Sequence, residues 1–477
     1  MPESADGAFP DSVLKALPPF HLFKRMGHCF VFITSSCVFH EIDEVSYAFL
    51  EQNLQQANNS NLTKYLTRQD ILKGISILER DGLFSDANYC ISDKQIIKDA
   101  NLFGSRSVYA IELAVAESCN LACTYCYCGN SRDLPENKLM SEQTAHQAVC
   151  WLFKNSQDTE KLHITFIGGE PLLNKIVIRS VVEYSQLLAK HHKKTVSYDM
   201  TTNATLLDDD FISFSKMHSI KIRISLDGPR KIHDAQCPTR SGNGSYMLAT
   251  AGAKRMISKR RAFVRCTMTH PMRKLTELFE FFEDFGFSRS TLVPAINLSS
   301  SPSPVDFNDD DYGELARQEE ELIPMILEKI SKGEKLKYNP FGSAYSRIEK
   351  HNTAWRPKCK ACHGGVLVDV NGAIYPCHRF GGMKEWVIGN IASGLNYDRC
   401  RRFWYEYRKC LSGSCETCWA WSICKGPCAW ELASPDGTLS SPVRFCSYRK
   451  AKVESAACAY VLNKQNAGLK VGTLNME

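Results

Sequence analysis

Several features that would fix the class of this protein at once are missing from its sequence. The 477-residue chain has no run of about 18 or more apolar residues, which is what a membrane-spanning helix needs. Its first twenty residues contain prolines and acidic residues but no apolar segment, so no signal peptide is expected. The net charge is only +6, too small a surplus to favour binding to nucleic acid or to an anionic membrane. We therefore expect a cytoplasmic protein with neither as a partner.

Internal repeats and low-complexity tracts are missing as well, whereas cysteine is unusually frequent. The chain has 21 cysteines, eleven of them between Cys359 and Cys458. A chain of this length buries enough apolar surface to fold without disulfide bonds. In a reducing compartment, this many cysteines indicate metal or redox chemistry.

The pattern of the sequence predicts three domains, at residues 1–103, 104–345 and 346–477. The first begins with a strand-rich segment, His21–Ile42, followed by helix-length segments at Val45–Gln56 and Thr67–Asp81. The second alternates short apolar strands with amphipathic helices, which is typical of a parallel sheet made of βα units. The third is rich in cysteine.

Six strands are predicted in the second domain, too few to close an eight-fold barrel, so an α/β fold with a partial (β/α)6 barrel is expected. The strands are Val108–Val115, His163–Ile167, Thr195–Met200, Ile220–Ser225, Phe263–Thr267 and Ser290–Val293, with helices such as Ser141–Asn155 and Lys175–His191 between them.

Two charged segments outside these units also have helical patterns. Tyr312–Lys332 is predicted to form one charged surface helix. Arg399–Lys409 mixes basic and aromatic residues and could be interpreted as RNA-binding. An amphipathic helix with packed aromatic rings and solvated arginines is the favoured interpretation.

Three cysteines, Cys119, Cys123 and Cys126, follow the first predicted strand of the second domain. Three thiolates within eight residues can bind three irons of a cubane cluster and leave the fourth iron open to another ligand. A zinc site or chance clustering is the alternative.

This CxxxCxxC pattern, with Tyr125 before its third cysteine, resembles the signature of the radical S-adenosylmethionine (SAM) superfamily. Further motifs similar to those of the superfamily follow in the expected order at successive strand ends: Gly168-Gly169-Glu170-Pro171, Thr201-Thr202-Asn203, Ser225-Leu226-Asp227-Gly228-Pro229 and Arg265. The resemblance implies that Cys119, Cys123 and Cys126 are the catalytic residues that bind a [4Fe–4S] cluster, on which SAM is cleaved.

The same resemblance implies roles for individual residues. Gly168, Gly169 and Glu170 would meet the SAM amino group, because an ammonium needs acceptors and glycines allow the backbone to approach closely. Asn203 and Ser225 would lie near the ribose and carboxylate, Arg265 would pair with the carboxylate, and Tyr125 and Asp227 complete the cofactor-binding set. One position departs from the pattern: relatives usually carry arginine where Cys237 stands. Either Arg240 replaces that arginine or the contact is absent.

The C-terminal cysteines resemble those of the SPASM domain found in radical SAM peptide-modifying enzymes. By that resemblance, auxiliary cluster I would be bound by Cys359, Cys362, Cys377 and Cys428, and auxiliary cluster II by Cys415, Cys418, Cys424 and Cys446. Cys359 fits least well, because its spacing to Cys362 is tighter than in some relatives. Full thiolate ligation suits electron transfer, and a pair of zinc ribbons is the alternative. The expected cofactors are SAM and three [4Fe–4S] clusters.

Residues 1–103 resemble the small winged-helix domain that binds leader peptides by adding a strand to a sheet edge. The alternative is a purely structural N-terminal extension. Taken over the whole chain, the resemblance is to SPASM-type radical SAM peptide maturases. The segment Tyr375–Phe380 is most similar to thioether-forming enzymes, such as those that mature the small subunit of quinohemoprotein amine dehydrogenase or short Cys-rich peptides.

The resemblance implies an oxidoreductase that modifies a ribosomally made peptide or small protein subunit. A 5′-deoxyadenosyl radical would abstract hydrogen, and a crosslink, expected to be a Cys thioether, would form, with a flavodoxin- or ferredoxin-type electron donor. One alternative is an anaerobic sulfatase maturase, which makes formylglycine. Those enzymes carry an aspartate base after the cysteine that corresponds to Cys377, whereas this chain has His378, itself a possible base. The other alternative is a non-catalytic iron–sulfur carrier or scaffold.

Overall fold

A computed structural model describes residues 20–34, 37–44, 46–48, 50–51, 93–103, 107–126, 137–157, 159–271, 273–296, 303–334, 336–350, 359–415, 417–440 and 445–466. Its strands are β1 (Phe20–Arg25), β2 (His28–Ile33), β3 (Val38–Ile42), β4 (Ala110–Ala116), β5 (Lys161–Gly168), β6 (Thr195–Thr202), β7 (Lys221–Ser225), β8 (Phe263–Met268), β9 (Arg289–Pro294), β10 (Gly365–Val368), β11 (Ala373–Tyr375), β12 (Gly389–Asn390) and β13 (Gly394–Leu395).

The helices are α1 (Asp93–Phe103), α2 (Glu142–Asn155), α3 (Lys175–His192), α4 (Asp209–Met217), α5 (Arg230–Gln236), α6 (Tyr246–Lys259), α7 (Leu275–Phe285), α8 (Asp309–Glu321), α9 (Ile323–Ser331), α10 (Ala344–Glu349), α11 (Tyr397–Ser414), α12 (Trp421–Cys424), α13 (Ala429–Leu432) and α14 (Cys446–Asn466). Within the part of the chain that the structure describes, no helix is both long and apolar enough to cross a bilayer.

A ten-stranded sheet is the centre of the fold, with the strand order β13-β12-β11-β10-β4-β5-β6-β7-β8-β9. Strands β4 to β9 are parallel, and each is joined to the next by helical segments. The six predicted strands are therefore confirmed, as is the mixed α/β class with a large parallel sheet. Because the carboxyl ends of parallel strands lie at one edge, the loops after them converge there.

Strands β10 to β13 extend this sheet beyond β4. Strand β10 pairs in parallel with β4, with Gly365 opposite Ala110, and β11, β12 and β13 continue from it as antiparallel strands. The first strands of the predicted C-terminal domain thus belong to the same sheet as the predicted barrel. This pairing brings the segment after β11 close to the start of the parallel sheet.

Helices α2 and α3 have clear end signals. The Ser141 side chain accepts a hydrogen bond from the main-chain N–H of Thr144 at 3.0 Å and so caps the first turn of α2. Helix α3 ends where Lys193 takes a left-handed conformation with φ of 54°. Both helices bury one apolar face against the sheet, as their sequence period predicts.

The prediction of one helix over Tyr312–Lys332 is wrong, because the segment forms two helices. Helix α8 ends at Glu321, and α9 begins at Ile323 with Pro324 in its first turn. Proline has no N–H to donate, and its ring clashes with the carbonyl of the preceding turn, so it fits the start of a helix but not its interior.

The N-terminal strands form a separate antiparallel sheet in the order β1-β2-β3. The strand-rich pattern of His21–Ile42 is thereby confirmed. The sheet packs on the C-terminal region, where the His21 ring stacks on Trp419 at 3.6 Å between centroids and Arg25 pairs with Glu454 at 2.6 Å. The predicted helix Thr67–Asp81, and the end of Val45–Gln56 beyond residue 51, lie outside the described residues.

Helix α11 confirms the amphipathic interpretation of the basic and aromatic segment, with one correction. Phe403, Trp404 and Tyr407 are buried, as expected. Arg408, however, is not solvated: it is 2% exposed, and its Nε lies 2.9 Å from the carboxylate of Asp99 on α1. This buried pair fixes α1, the last part of the predicted N-terminal domain, against α11.

Candidate functional site

The carboxyl ends of the parallel strands surround a cavity of about 290 Å³. The residues predicted to bind SAM and its cluster that line it are Cys119, Cys123, Tyr125, Cys126, Gly168, Gly169, Glu170, Asn203, Ser225 and Arg265. Asp227, the remaining residue of that set, is buried behind the wall. Motifs separated by up to 146 residues in the sequence therefore meet at one cavity.

The loop that carries the three cysteines lies between β4 and α2 and is fixed by main-chain hydrogen bonds. Ala122 donates to the carbonyl of Pro238 at 2.7 Å, and Thr124 donates to that of Gln236 at 2.8 Å. Burial raises the pKa of the Cys119 thiol to about 12. Because a metal takes cysteine as thiolate, metal binding here would release a proton.

Gly168, the last residue of β5, and Gly169 after it permit a very close approach to the end of β4 and the start of the cysteine loop. Gly168 has φ of +138°, and a Cβ added to it would lie 1.9 Å from the carbonyl oxygen of Ala116. A Cβ on Gly169 would lie 2.3 Å from the carbonyl oxygen of Ser118. The main-chain N–H of Gly169 donates to the Ala116 carbonyl at 2.8 Å. A side chain at Gly168 would displace Ala116 at the end of β4, and one at Gly169 would displace Ser118 at the start of the cysteine loop.

The Glu170 carboxylate is completely buried and organises the neighbouring turn. It accepts hydrogen bonds from the main-chain N–H of Leu172 at 3.0 Å, from the Thr202 hydroxyl at 2.7 Å and from the main-chain N–H of Asn203 at 2.8 Å. Burial raises its pKa, and the bonds from Thr202, Asn203 and Leu172 oppose the rise. The predicted contact of this carboxylate with an amino group would have to compete with these three donors.

Asn203 connects its own turn to the cysteine loop. Its amide nitrogen donates to the Asn120 side-chain oxygen at 2.9 Å, and its amide oxygen accepts from the Thr205 hydroxyl at 2.7 Å. The same amide nitrogen lies 4.0 Å from the Cys119 sulfur. Asn203 is thus placed at the edge of the candidate cluster site.

Asp227, Tyr125 and Cys237 form a hydrogen-bonded unit behind the cysteine loop. The Tyr125 hydroxyl donates to Asp227 Oδ2 at 2.7 Å, and the Cys237 thiol lies 3.4 Å from the same oxygen. The other oxygen, Oδ1, accepts the main-chain N–H of Thr267 at 2.9 Å. Burial raises the pKa of Asp227, and the imidazole of His233 opposes this rise. Asp227 therefore binds the residues behind the cysteine loop and does not line the cavity.

Cationic side chains enter the cavity from two neighbouring strands. Arg265 on β8 lies opposite Ser225 on β7 in the register of the sheet, and both line the cavity. Arg223, two residues before Ser225 on β7, lines it as well. These guanidinium groups favour an anionic group such as a carboxylate.

Glu112 and His378 form a hydrogen-bonded pair on another wall of the cavity. The Glu112 carboxylate accepts from the main-chain N–H of His378 at 2.7 Å and from its Nδ1 at 2.9 Å. Burial alone would raise the pKa of Glu112, but His378 overcomes this and holds it below its usual range. Because His378 follows Cys377, one wall of the cavity is shared with the predicted site of auxiliary cluster I.

Some of the C-terminal cysteines within each predicted set are neighbours, although the strongest neighbour of the Cys362 thiol is Cys400, which belongs to neither set. Burial raises the pKa of the Cys359 thiol to about 12, and the neighbouring Cys428 raises it further. Burial also raises the pKa of the Cys377 thiol, and Glu112, Cys359 and Cys428 add to that rise. In the second set, burial raises the pKa of Cys415 to about 12, with Cys424, Cys446 and Cys418 as neighbours.

Among the residues that the structure describes, no three His, Cys, Asp or Glu side chains are close enough to hold a single metal ion. The thiolates around a cubane of four irons stand further apart than those around one ion. Cluster binding by the three cysteine sets therefore stays a prediction.

Comparisons with known proteins agree with this geometry. Residues 105–247 match the family model of a 4Fe-4S single cluster domain. The cysteine-type anaerobic sulfatase-maturating enzyme of Clostridium novyi is 22% identical over 71% of this chain and 92% of its own length. The serine-type enzyme of Bacteroides thetaiotaomicron is 22% identical over 68% and 83%. The solved structure of native anSMEcpe with bound AdoMet is 19% identical, covers 75% of this chain and 99% of its own, and superposes with a TM-score of 0.62.

In sequence and in fold, the chain is therefore similar to members of the radical SAM/SPASM family. The curated relatives named above are anaerobic sulfatase-maturating enzymes. They are matched over most of their length, while the matches leave a quarter or more of this chain uncovered.

Sequence reasoning did not identify several residues that line this cavity or lie behind it. Glu112 was missed, although it is the only charged residue in the strand AIELAVA, and a charge in an otherwise apolar strand is a recognisable signal. Arg223 gave no signal, because a charged residue in an alternating strand is ordinary on a solvated face. His233, whose Nδ1 accepts the main-chain N–H of Asp227 at 3.3 Å, also gave none.

Proposed function

We propose that this protein is a radical SAM maturase that binds SAM and a [4Fe–4S] cluster in the cavity and modifies a peptide there. The observation that carries the proposal is the convergence of Cys119, Cys123 and Cys126 with the strand-end motifs on one cavity. The residues present fit both groups. Three soft thiol donors on a short loop suit iron and sulfide, and the guanidinium group of Arg265 suits a carboxylate.

When bound, SAM and the cluster supply a carbon-centred radical able to abstract hydrogen from an unactivated carbon. This chain's own residues hold those groups in place. Gly168 and Gly169 let the backbone approach the cysteine loop, and Asn203 joins that loop to the turn after β6. Glu170 acts through its neighbours, because its carboxylate already accepts from the main-chain N–H of Asn203. Ser225 and Arg265 offer polar contacts from adjacent strands.

A substrate in this cavity would lie between two cysteine sites. One wall carries the Cys119 loop, and the other carries His378 and Arg379, which follow Cys377. We assign Cys359, Cys362, Cys377 and Cys428 to auxiliary cluster I and Cys415, Cys418, Cys424 and Cys446 to auxiliary cluster II. We assign the Glu112–His378 pair as the acid–base candidate of the cavity, because the carboxylate fixes the imidazole against the wall.

The proposed substrate is a ribosomally made peptide, and the proposed product a Cys thioether. Within the described residues, β1 and β3 each pair on one side only, so either can accept an added strand from a leader peptide. We assign this role to residues 1–103, with the core at 104–345 and the SPASM region at 346–477. A flavodoxin- or ferredoxin-type protein is the proposed electron donor.

Formylglycine formation is the second candidate, because the curated relatives named above are sulfatase maturases. Their likeness to this chain is 22% in sequence. Against this candidate, His378 stands where such enzymes are expected to carry an aspartate base, and at least a quarter of this chain has no counterpart in them.

Mass spectrometry of the treated peptides distinguishes thioether formation from formylglycine formation. The reduced full-length protein is supplied with SAM and with either the short Cys-containing peptide encoded beside its gene or a Cys peptide from a sulfatase, followed by a thiol alkylator. We expect the first peptide to lose two hydrogens per site and its cysteine to resist alkylation, because the sulfur is then bound to carbon. The Glu112→Gln variant should modify it more slowly.

The other outcomes decide against the thioether. Loss of hydrogens with a cysteine that still alkylates would indicate carbon–carbon coupling or side-chain oxidation. An aldehyde formed on the sulfatase peptide alone, with the other peptide unchanged, would establish the sulfatase maturase in its place.

A further inference from the structure

One cationic side chain of the cavity has no role in the proposed function. Arg223 lines the cavity from strand β7, two residues before Ser225, and it is exposed. Ile222 and Ile224 form the buried face of this strand, so the alternation of side chains turns Arg223 to the cavity side. Among the residues that the structure describes, none forms a hydrogen bond or ion pair with the Arg223 guanidinium group.

The register of the sheet places Arg223 between two sets of residues that the proposed function uses. Ser225 lies opposite Arg265, in the row proposed to meet SAM. Arg223 lies opposite Thr201, one two-residue step of about 6–7 Å toward the amino ends of the strands. The row of Glu112 follows one step further along the strands. A substrate that extends from SAM toward Glu112 would therefore pass Arg223.

The carboxylates of the cavity are already bound to other groups. Among the described residues that line the cavity, they are Glu112 and Glu170. Glu112 accepts two hydrogen bonds from His378, and Glu170 accepts three from its own neighbours. SAM brings one carboxylate, which is proposed to pair with Arg265. Even with SAM in place, no anion is thus assigned to Arg223.

A substrate that fills the cavity would remove water from Arg223, because apolar side chains such as Ile167, Val293 and Ile296 also line it. A guanidinium group that loses water without gaining an anion is strongly destabilised. A carboxylate compensates for the lost water, since it accepts two parallel hydrogen bonds from the planar guanidinium group. A substrate with a neutral group at this place would bind weakly.

We propose that Arg223 is a specificity-determining residue that pairs with a carboxylate of the peptide and so selects peptides with an acidic group close to the modified residue. The inference rests on the proposed function, since it requires a peptide in the cavity. The carboxylate belongs to an Asp or Glu side chain or to the C-terminus of the peptide. Both sources present the same planar anion, and the test distinguishes them.

The test is a double-mutant cycle on peptide binding. The probe is the fluorescently labelled Cys-containing peptide encoded beside the gene, titrated with the full-length, iron-loaded protein and SAM without reductant. Each Asp or Glu of the peptide is changed in turn to Asn or Gln, and one further peptide is amidated at its C-terminus. The protein variants are Arg223→Gln, which loses the charge, and Arg223→Lys, which keeps it. The matched control, Lys254→Gln, removes one positive charge from an exposed position of helix α6.

We expect Arg223→Gln to weaken binding of the unmodified peptide about tenfold or more, because a charge-assisted pair is lost. One neutralised peptide should lose a similar factor with wild type and nothing further with Arg223→Gln, and the group changed in it identifies the carboxylate. Arg223→Lys should keep part of the affinity, since its charge remains without the bidentate geometry. The control should bind as wild type does. Should Arg223→Gln fail to load iron, Arg223→Met, which keeps the length of the side chain, replaces it.

Two results would overturn the inference and leave the proposed function standing. One is a charge-free variant that binds the peptide as tightly as wild type. The other is a loss of affinity that is equal for every peptide, neutralised or not, because Arg223 would then act on the fold or on SAM. An iron-loaded wild-type protein that binds no peptide in the presence of SAM would overturn the proposed function and this inference with it.

Discussion

The close approach of the Gly169 backbone to the cysteine loop gives the sharpest steric prediction. A Cβ at this position would lie 2.3 Å from the Ser118 carbonyl oxygen, 2.6 Å from its carbon and 2.9 Å from the Cys119 Cβ. To reach a 3.0 Å contact, the Ser118 carbonyl must move by about 0.7 Å. It accepts the main-chain N–H of Glu170 at 3.0 Å, so the shift also strains that hydrogen bond.

Overpacking of this kind costs about 1–3 kcal/mol, and one weakened hydrogen bond adds about 1 kcal/mol. Gly169→Ala should therefore lower the free energy of unfolding by about 2–4 kcal/mol. The displacement of Cys119 should also abolish iron binding at its cluster. With three clusters proposed, iron per chain should fall by about a third.

The assay measures iron, sulfide and thermal unfolding of Gly169→Ala against Gly313→Ala. Gly313 lies on the exposed face of helix α8 with nothing within 4 Å of an added Cβ. Alanine there should stabilise the helix by about 0.5–1 kcal/mol and leave the iron unchanged. A Gly169→Ala protein with wild-type iron content and wild-type melting temperature would refute the steric account of this loop.

Three further predictions concern stability. Asp99→Asn should lower the free energy of unfolding, measured by chemical denaturation, by about 3–5 kcal/mol, because it removes the charge that the buried Arg408 guanidinium faces. A loss below about 1 kcal/mol would contradict this. Ser141→Ala should lower the free energy of unfolding by about 1 kcal/mol, because the cap of helix α2 is lost. The midpoint of unfolding measures this, and an unchanged midpoint would contradict it. Because His378 holds the pKa of Glu112 below its unfolded value, this carboxylate stabilises the protein above the unfolded pKa, and the contribution is lost as pH falls through the folded pKa. Glu112→Gln should therefore melt below wild type at neutral pH, with the gap closing in acid; a gap independent of pH would exclude the ion pair as its cause.

Much of the central sheet was predictable because local pattern alone specifies it. Buried parallel strands such as His163–Ile167 are short apolar runs between helix-length segments, and the structure confirms all six. The prediction of a single helix over Tyr312–Lys332 was wrong, because it followed the charge pattern and overlooked the proline at position 324.

Contacts between distant segments could not be predicted in the same way. The partner of Arg408 is Asp99, more than 300 residues earlier in the chain, and no periodicity links the two. The meeting of Glu112 with His378 depends on the pairing of β10 with β4, which the sequence did not indicate. The proposed cysteine sets rest on a resemblance to a family and stay a prediction.

The most direct test of the central claim is SAM cleavage by the full-length, iron-loaded protein reduced with dithionite. Wild type should release 5′-deoxyadenosine and methionine in equal amounts. Cys119→Ala should release none, since the cluster loses a ligand, while Cys458→Ala, outside the proposed ligand sets, should behave as wild type. Iron-loaded wild type that leaves SAM intact, or Cys119→Ala that cleaves it as fast as wild type, would contradict the account.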